Sequence, residues 1–125
     1  MAAKILIVED TLDTRELLHL YLTGEGFTVI AAGDGREGLY LARAEKPDLI
    51  VTDLNMPQLD GLALVKELRA EPQFKDLPII VITAFGKQDR DDAIRAGANR
   101  AVDKPTHFES LVDDINELLE ERKKA

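Results

Sequence analysis

Side chains able to do chemistry gather just past short apolar runs of the sequence. Glu9 and Asp10 follow Ile5–Val8, Asp53 lies past Leu49–Val51 with Asn55 two residues on, Thr83 follows Ile79–Ile82, and Lys104 follows Arg100–Asp103. Any one of these is ordinary, because an Asp or Thr after a strand is more often a helix cap or turn former than a reacting group. Glu9, Asp10 and Asp53 brought together are a different matter: crowding like charges costs several kcal/mol unless a cation neutralises them or their pKa values rise. With no cysteine and only two, unpaired, histidines, the donors are oxygens, which select a hard ion. Mg2+ fits best, since it takes one or two carboxylates and keeps water and a phosphate oxygen. Lys104 adds a point charge suited to a phosphoryl or carboxylate oxygen.

Such convergence requires elements that end at one place. Ile5–Val8, Phe27–Ala32, Leu49–Val51 and Ile79–Ile82 are β-branched-rich and too short for helices, and Arg100–Asp103 makes a fifth, weaker strand. Between them Leu17, Leu18, Tyr21 and Leu22 predict one helical face, Leu62, Val65 and Leu68 a second, and Leu111, Ile115, Leu118 and Leu119 a third; two further helices are shorter and less apolar. Asp34 with Glu37 and Thr106 with Glu109 fit capping boxes, and Gly24 and Gly97 suit left-handed helix ends. Alternating strand and helix imply right-handed crossovers and a parallel sheet covered on both faces. An eight-stranded barrel needs about twice this length. The expected fold is therefore α/β, a flavodoxin-like (βα)5 doubly wound five-stranded parallel sheet of order 2-1-3-4-5, with function at the carboxyl ends of the strands. The second strand, an edge in that order, ends in Ala31-Ala32-Gly33 and carries none of the candidate chemistry.

The chain has 125 residues, 45% of them hydrophobic, which suits a single domain over residues 1–125. Its formal charge of −8 argues against nucleic acid and anionic membrane as partners. Arg122-Lys123-Lys124 is read as complementing the dipole of the last helix. Acidic residues from Glu9 onward cut off any N-terminal apolar segment, and the expectation is a cytoplasmic protein. His19 and His107 are read as surface residues.

Glu9-Asp10, Asp53 with Met56-Pro57 and Asp60-Gly61 behind it, Thr83-Ala84 and Lys104-Pro105, in that order through the whole chain, together resemble the response-regulator receiver domain of two-component and phosphorelay signalling. The resemblance implies that Asp53 is the nucleophile taking a phosphoryl group from phosphohistidine or a small donor such as acetyl phosphate. It implies Mg2+ ligated directly by Asp10 and Asp53, through water by Glu9 and through the backbone carbonyl of Asn55. Lys104 would pair first with Asp53 and then with the phosphoryl group, Thr83 would donate its hydroxyl to that group, and Lys104-Pro105 would be a cis peptide. Its partners would be a sensor histidine kinase or histidine phosphotransfer protein and an unidentified downstream protein target. The chain would be a monomer or weak dimer and no enzyme beyond Mg2+-assisted self-phosphorylation and dephosphorylation.

Rival readings fit less well. A flavodoxin-like binding protein would set its ligand's phosphate where Glu9-Asp10 would repel it, and a haloacid-dehalogenase-type phosphatase would have a second Asp where Asn55 stands. A phosphorylation-independent receiver-like module, or a receiver cut from a hybrid histidine kinase, remain alternatives. No DNA-binding or enzymatic output segment is expected after the last helix. Ala101 departs from the family, which usually has Tyr or Phe three residues before the lysine, and Thr106 stands where an apolar residue is common. Met56-Pro57 is expected to shape the loop beside Asp53, and Phe85 to belong to a mobile loop or to the core. The expected consequence of Ala101 is a response concentrated in the Thr83–Gln88 loop, the other site loops and the first helix.

Overall fold

The computed structural model describes residues 2–84, 86–104 and 107–124. Strands β1 (Lys4–Val8), β2 (Thr28–Ala32), β3 (Leu49–Asp53), β4 (Ile79–Thr83) and β5 (Arg100–Asp103) alternate with helices α1 (Leu12–Gly24), α2 (Gly35–Glu45), α3 (Gly61–Arg69), α4 (Lys87–Ala96) and α5 (Phe108–Lys124), with a short 3-10 turn at Pro72–Phe74. The strands pair in parallel in the order β2-β1-β3-β4-β5. This is the flavodoxin-like doubly wound sheet that the alternation predicts.

Burial explains why the central strands read as unbroken apolar runs. Every residue of β3 and β4 is buried, whereas the edge strands β2 and β5 are only partly so. One face of the sheet packs Leu6, Ile50, Ile79 and Val81 with Leu64, Val65 and Leu68 of α3 and Ala93 of α4; the other packs Ile5, Ile7, Ile80 and Ile82 with Leu18 and Leu22 of α1 and Leu111 and Ile115 of α5. Each fully buried Ile or Leu contributes on the order of 2 kcal/mol of apolar transfer.

Several local expectations are corrected. Leu17 is 54% exposed, so α1 buries Leu18 and Leu22 but turns Leu17 outward, together with Leu12 and Leu20. The α3 face is carried chiefly by Leu64, Val65 and Leu68, with Leu62 half-buried. Gly97 does close α4 with φ 124°, but after α1 the positive φ falls at Gly26 and not at Gly24. Asp34 accepts from the Glu37 amide at 2.8 Å, and Glu37 reaches back to the amide of Gly33 at 2.6 Å, one residue beyond the cap. Arg122 donates to the Asp48 carbonyl at 2.8 Å, tying α5 to the start of β3. The expected Thr106–Glu109 cap, the cis Lys104-Pro105 peptide and Phe85 lie outside the described residues.

The loop after β3 is shaped by close backbone approach. Asp60 caps α3 by accepting from the Ala63 amide at 2.8 Å, and the Gly61 amide donates to the Leu54 carbonyl at 2.7 Å. A Cβ on Gly61 would lie 2.2 Å from the Asp53 carbonyl oxygen and 2.8 Å from Leu54 Cα, both backbone atoms that cannot step aside. Gly61→Ala is therefore expected to destabilise the protein by about 2 kcal/mol or more in urea unfolding. Gly24→Ala, with nothing within 4 Å of the new methyl, should change stability by less than about 1 kcal/mol. Equal effects of the two substitutions would refute the close-approach argument.

Candidate functional site

The strand order decides which side chains meet. β1 lies beside β3, so Glu9 and Asp10, just beyond Val8, face Asp53 at the end of β3; β4 and β5 then bring Thr83 and Asp103-Lys104 to the same edge, with Thr83 the register partner of Asp103. Glu9, Asp10 and Asp53 each offer an oxygen, and these oxygens all lie within 4.8 Å of one another. Asp53 is buried, Glu9 is buried and Asp10 is exposed, so the cluster opens to solvent on the Asp10 side.

Asp53 is held from several directions. Lys104 Nζ donates to its Oδ2 at 2.8 Å, and the Asn55 amide approaches Oδ1 at 3.4 Å. The Thr52 hydroxyl donates to the Asp53 carbonyl at 2.9 Å. Burial alone would lower the pKa of Lys104, but the hydrogen bond and charge of Asp53, with Glu9 and Asp10 behind it, outweigh burial and leave it raised. Glu9 moves the other way from an ordinary carboxylate: loss of solvation, opposed by a hydrogen bond from the Thr11 amide and reinforced by the charge of Asp53, pushes it up to about 7. The Thr11 amide donates to Glu9 Oε2 at 3.1 Å, and Arg15 donates to the Glu9 carbonyl at 3.0 Å.

An all-oxygen set with three carboxylates around an open corner fits a hard divalent cation. Such an ion would offset the loss of solvation and the like charge of Asp53 that together hold a proton on Glu9.

A family model for the response regulator receiver domain matches residues 5–116. The chain belongs to this family. The receiver is 41% identical over 117 residues to the two-component response regulator PhoP of Pseudomonas aeruginosa, a match covering 93% of this chain and 51% of PhoP. A putative response regulator from Chloroflexus aurantiacus superposes with a TM-score of 0.91 at 34% identity, covering 95% of this chain and 98% of that one. The signal receiver domain of a histidine kinase from Syntrophus aciditrophicus gives 0.92 at 31% identity over 99% and 95%. The receiver spans about half the length of most of the first curated relatives it matches, for example 48% of a probable transcriptional regulator of Cyanophora paradoxa.

Receiver domains belong to signalling and generally bind Mg2+. Among the described residues no helix is long and apolar enough to cross a membrane.

All the sequence-derived candidates reach one edge of the receiver's sheet: Glu9, Asp10, Asp53 and Lys104 in one charged group, Asn55 beside it with its side chain exposed, and Thr83 buried at the end of β4. His19 and His107 are exposed, in agreement with their reading as surface residues. Three contributors were not singled out beforehand. Arg15 holds the Glu9 carbonyl, Asp89 accepts from the Thr83 hydroxyl at 3.3 Å, and Arg90 pairs with Asp103. Their positions in the first turns of α1 and α4 give a charged residue no distinguishing signature in sequence.

The raised pKa of Glu9 has a consequence for stability. Folded protein holds this proton up to about pH 7, whereas the unfolded chain releases it near 4.5, so stability from protonated Glu9 is full below 4.5 and is lost as pH rises toward 7. Without divalent cations, wild type should lose stability relative to Glu9→Gln between about pH 5 and pH 7 and level off above. A difference between the two that stays constant from pH 5 to pH 8, measured by urea unfolding, would contradict this origin.

Proposed function

We propose that this receiver accepts a phosphoryl group on Asp53 from a phosphohistidine and signals through protein contacts that change on phosphorylation. The observation carrying the reading is a buried carboxylate that has an ammonium at 2.8 Å and two further carboxylates against it. Mg2+ bound by Asp10 and Asp53, by the Asn55 carbonyl and through water by Glu9 would supply charge neutralisation at the phosphoryl oxygens. An oxygen of Asp53 forms the new O–P bond as the N–P bond to the donor imidazole breaks, and the freed imidazole takes up a proton. Lys104 neutralises charge on Asp53 before transfer and on the phosphoryl group after it. The Thr83 hydroxyl donates to a phosphoryl oxygen once it swings toward it. These steps make the protein a switch, with self-phosphorylation and dephosphorylation as its only chemistry.

With acetyl phosphate and Mg2+, mass spectrometry should find one added phosphoryl group that is absent from Asp53→Asn and from samples with chelator. Labelling of Asp53→Asn at wild-type stoichiometry would sink the assignment. Absence of labelling in the wild type would instead favour a receiver-like module that works without phosphate.

The donor's docking face is proposed from α1. Leu12, Leu17 and Leu20 are exposed at 54%, 54% and 70% on the helix that starts two residues past Asp10, and leucines left in water on a helix that begins beside the site suit a protein contact. A sensor kinase or histidine phosphotransfer protein seated there would bring its imidazole to Asp53. Partners downstream, a cytoplasmic location, and whether residues 1–125 act alone or as the receiver of a longer regulator or hybrid kinase are part of the same proposal. The half-length match to PhoP and the likeness to a kinase receiver suit the longer-protein readings, and the near full-length match to the Chloroflexus aurantiacus response regulator suits a receiver acting alone. Leu20→Asp should slow phosphotransfer from a phosphorylated histidine phosphotransfer protein at least about tenfold, as expected for one interface anchor. Labelling by acetyl phosphate should stay unchanged. A parallel loss with both donors would place the defect in the site and not in docking.

A further inference from the structure

Helix α4 begins beside the site and is tied to it by two consecutive side chains. The Thr83 hydroxyl donates to Asp89 Oδ2 at 3.3 Å, and Arg90 pairs with Asp103, the register partner of Thr83. The amide of Lys104 in turn donates to the Thr83 carbonyl at 2.8 Å. The first turn of α4 thus grips the ends of β4 and β5 on either side of the residue that would meet a phosphoryl group. Ala101 lies on the face of β5 that packs against the core cluster to which Ala93 of α4 belongs, and offers only a methyl group there.

We propose that Asp89 is a positioning residue that holds the Thr83 hydroxyl away from the phosphoryl position, so that phosphorylation must break this contact and thereby releases the first turn of α4. The inference rests on the phosphoacceptor reading of Asp53 and adds to it the route by which the signal leaves. One hydroxyl proton cannot serve both Asp89 and a phosphoryl oxygen, so the two acceptors compete. The carboxylate at 3.3 Å wins while the site carries no phosphoryl group, and a dianionic group held near Lys104 offers the stronger acceptor. With Ala101 in place of a ring, β5 has no bulky side chain to follow Thr83 inward. The response therefore passes into α4, a helix whose exposed apolar residue Ile94 lies five residues past Asp89, and is not confined to the Thr83–Gln88 loop, the other site loops and α1 as the sequence alone suggested.

Beryllofluoride, a phosphoryl mimic, provides the test. In Mg2+, Asp89→Ala should bind it about three to ten times more tightly than wild type, the range for losing a competing hydrogen bond to a charged acceptor. Asp89→Asn, which keeps an acceptor oxygen, should fall between the two. In the Thr83→Ala background, Asp89→Ala should add nothing, a result that general loosening of the fold would not give. Without any ligand, hydrogen exchange of the amides from 87 to 91 should already rise in Asp89→Ala. This last readout stands even if wild type fails to bind the mimic, which would instead refute the phosphoacceptor reading. Unchanged affinity and exchange in Asp89→Ala would overturn the latch. So would equal affinities of the Asn and Ala variants, which would assign the effect to charge alone.

Discussion

Asp53 is a buried carboxylate with an ammonium on one side and two more carboxylates on the other, and this crowding is what the sheet is arranged to sustain. In water the group would be ordinary. Under the surface its charge is tolerable because Lys104 sits 2.8 Å away and because Glu9 gives way by holding its own proton up to about pH 7. Removing the lysine would leave a buried charge without its counter-ion, which costs several kcal/mol. The site is therefore poised: in the absence of a cation the cluster is relieved by a proton on Glu9, and a divalent ion relieves it better. Parallel pairing makes this possible, since only strands running the same way bring the ends of β1, β3, β4 and β5 to one edge.

The same edge carries the restraints that let a local event be felt elsewhere. Gly61 lets α3 start against the carbonyl of Asp53, and α4 starts against the hydroxyl of Thr83. Two helices thus start against residues at the carboxyl edge of the sheet. On the proposed latch, a change of partner at Thr83 would be converted into strain on the start of α4, because closely packed elements do not deform smoothly. Gln58, with φ 69°, sits in the loop between Asp53 and α3 in a conformation that costs a non-glycine residue about 1 kcal/mol.

How far the sequence goes can be judged element by element. The strands and their order were legible, because β3 and β4 are buried throughout and β1 from Ile5 onward and so read as apolar runs rich in β-branched residues, while alternation with helices leaves few topologies open. The charged cluster was legible too, since Glu9, Asp10, Asp53 and Lys104 each stand where a strand runs out. Leu17 was not, for α1 carries leucines at 12, 17, 18, 20 and 22 and periodicity alone does not say which stripe faces inward. Asp89 and Arg90 were hidden for a similar reason: α4 is dense with charged residues, and only the distance to Thr83 and Asp103 distinguishes two of them. The shift of Glu9 depends on burial, which no residue pattern displays.

The central claim is that Glu9, Asp10 and Asp53 form one cation site at the carboxyl edge of the sheet. Mn2+, which accepts the same oxygen ligands as Mg2+, broadens the NMR signals of amides near it and so reports where the ion sits. The account predicts that trace Mn2+ erases first the amides of residues 9, 10, 53 and 55, and that excess Mg2+ restores them. Broadening centred instead on the acidic face of α5 around Asp113, Asp114 and Glu117, or broadening near Asp53 that Mg2+ does not reverse, would contradict it.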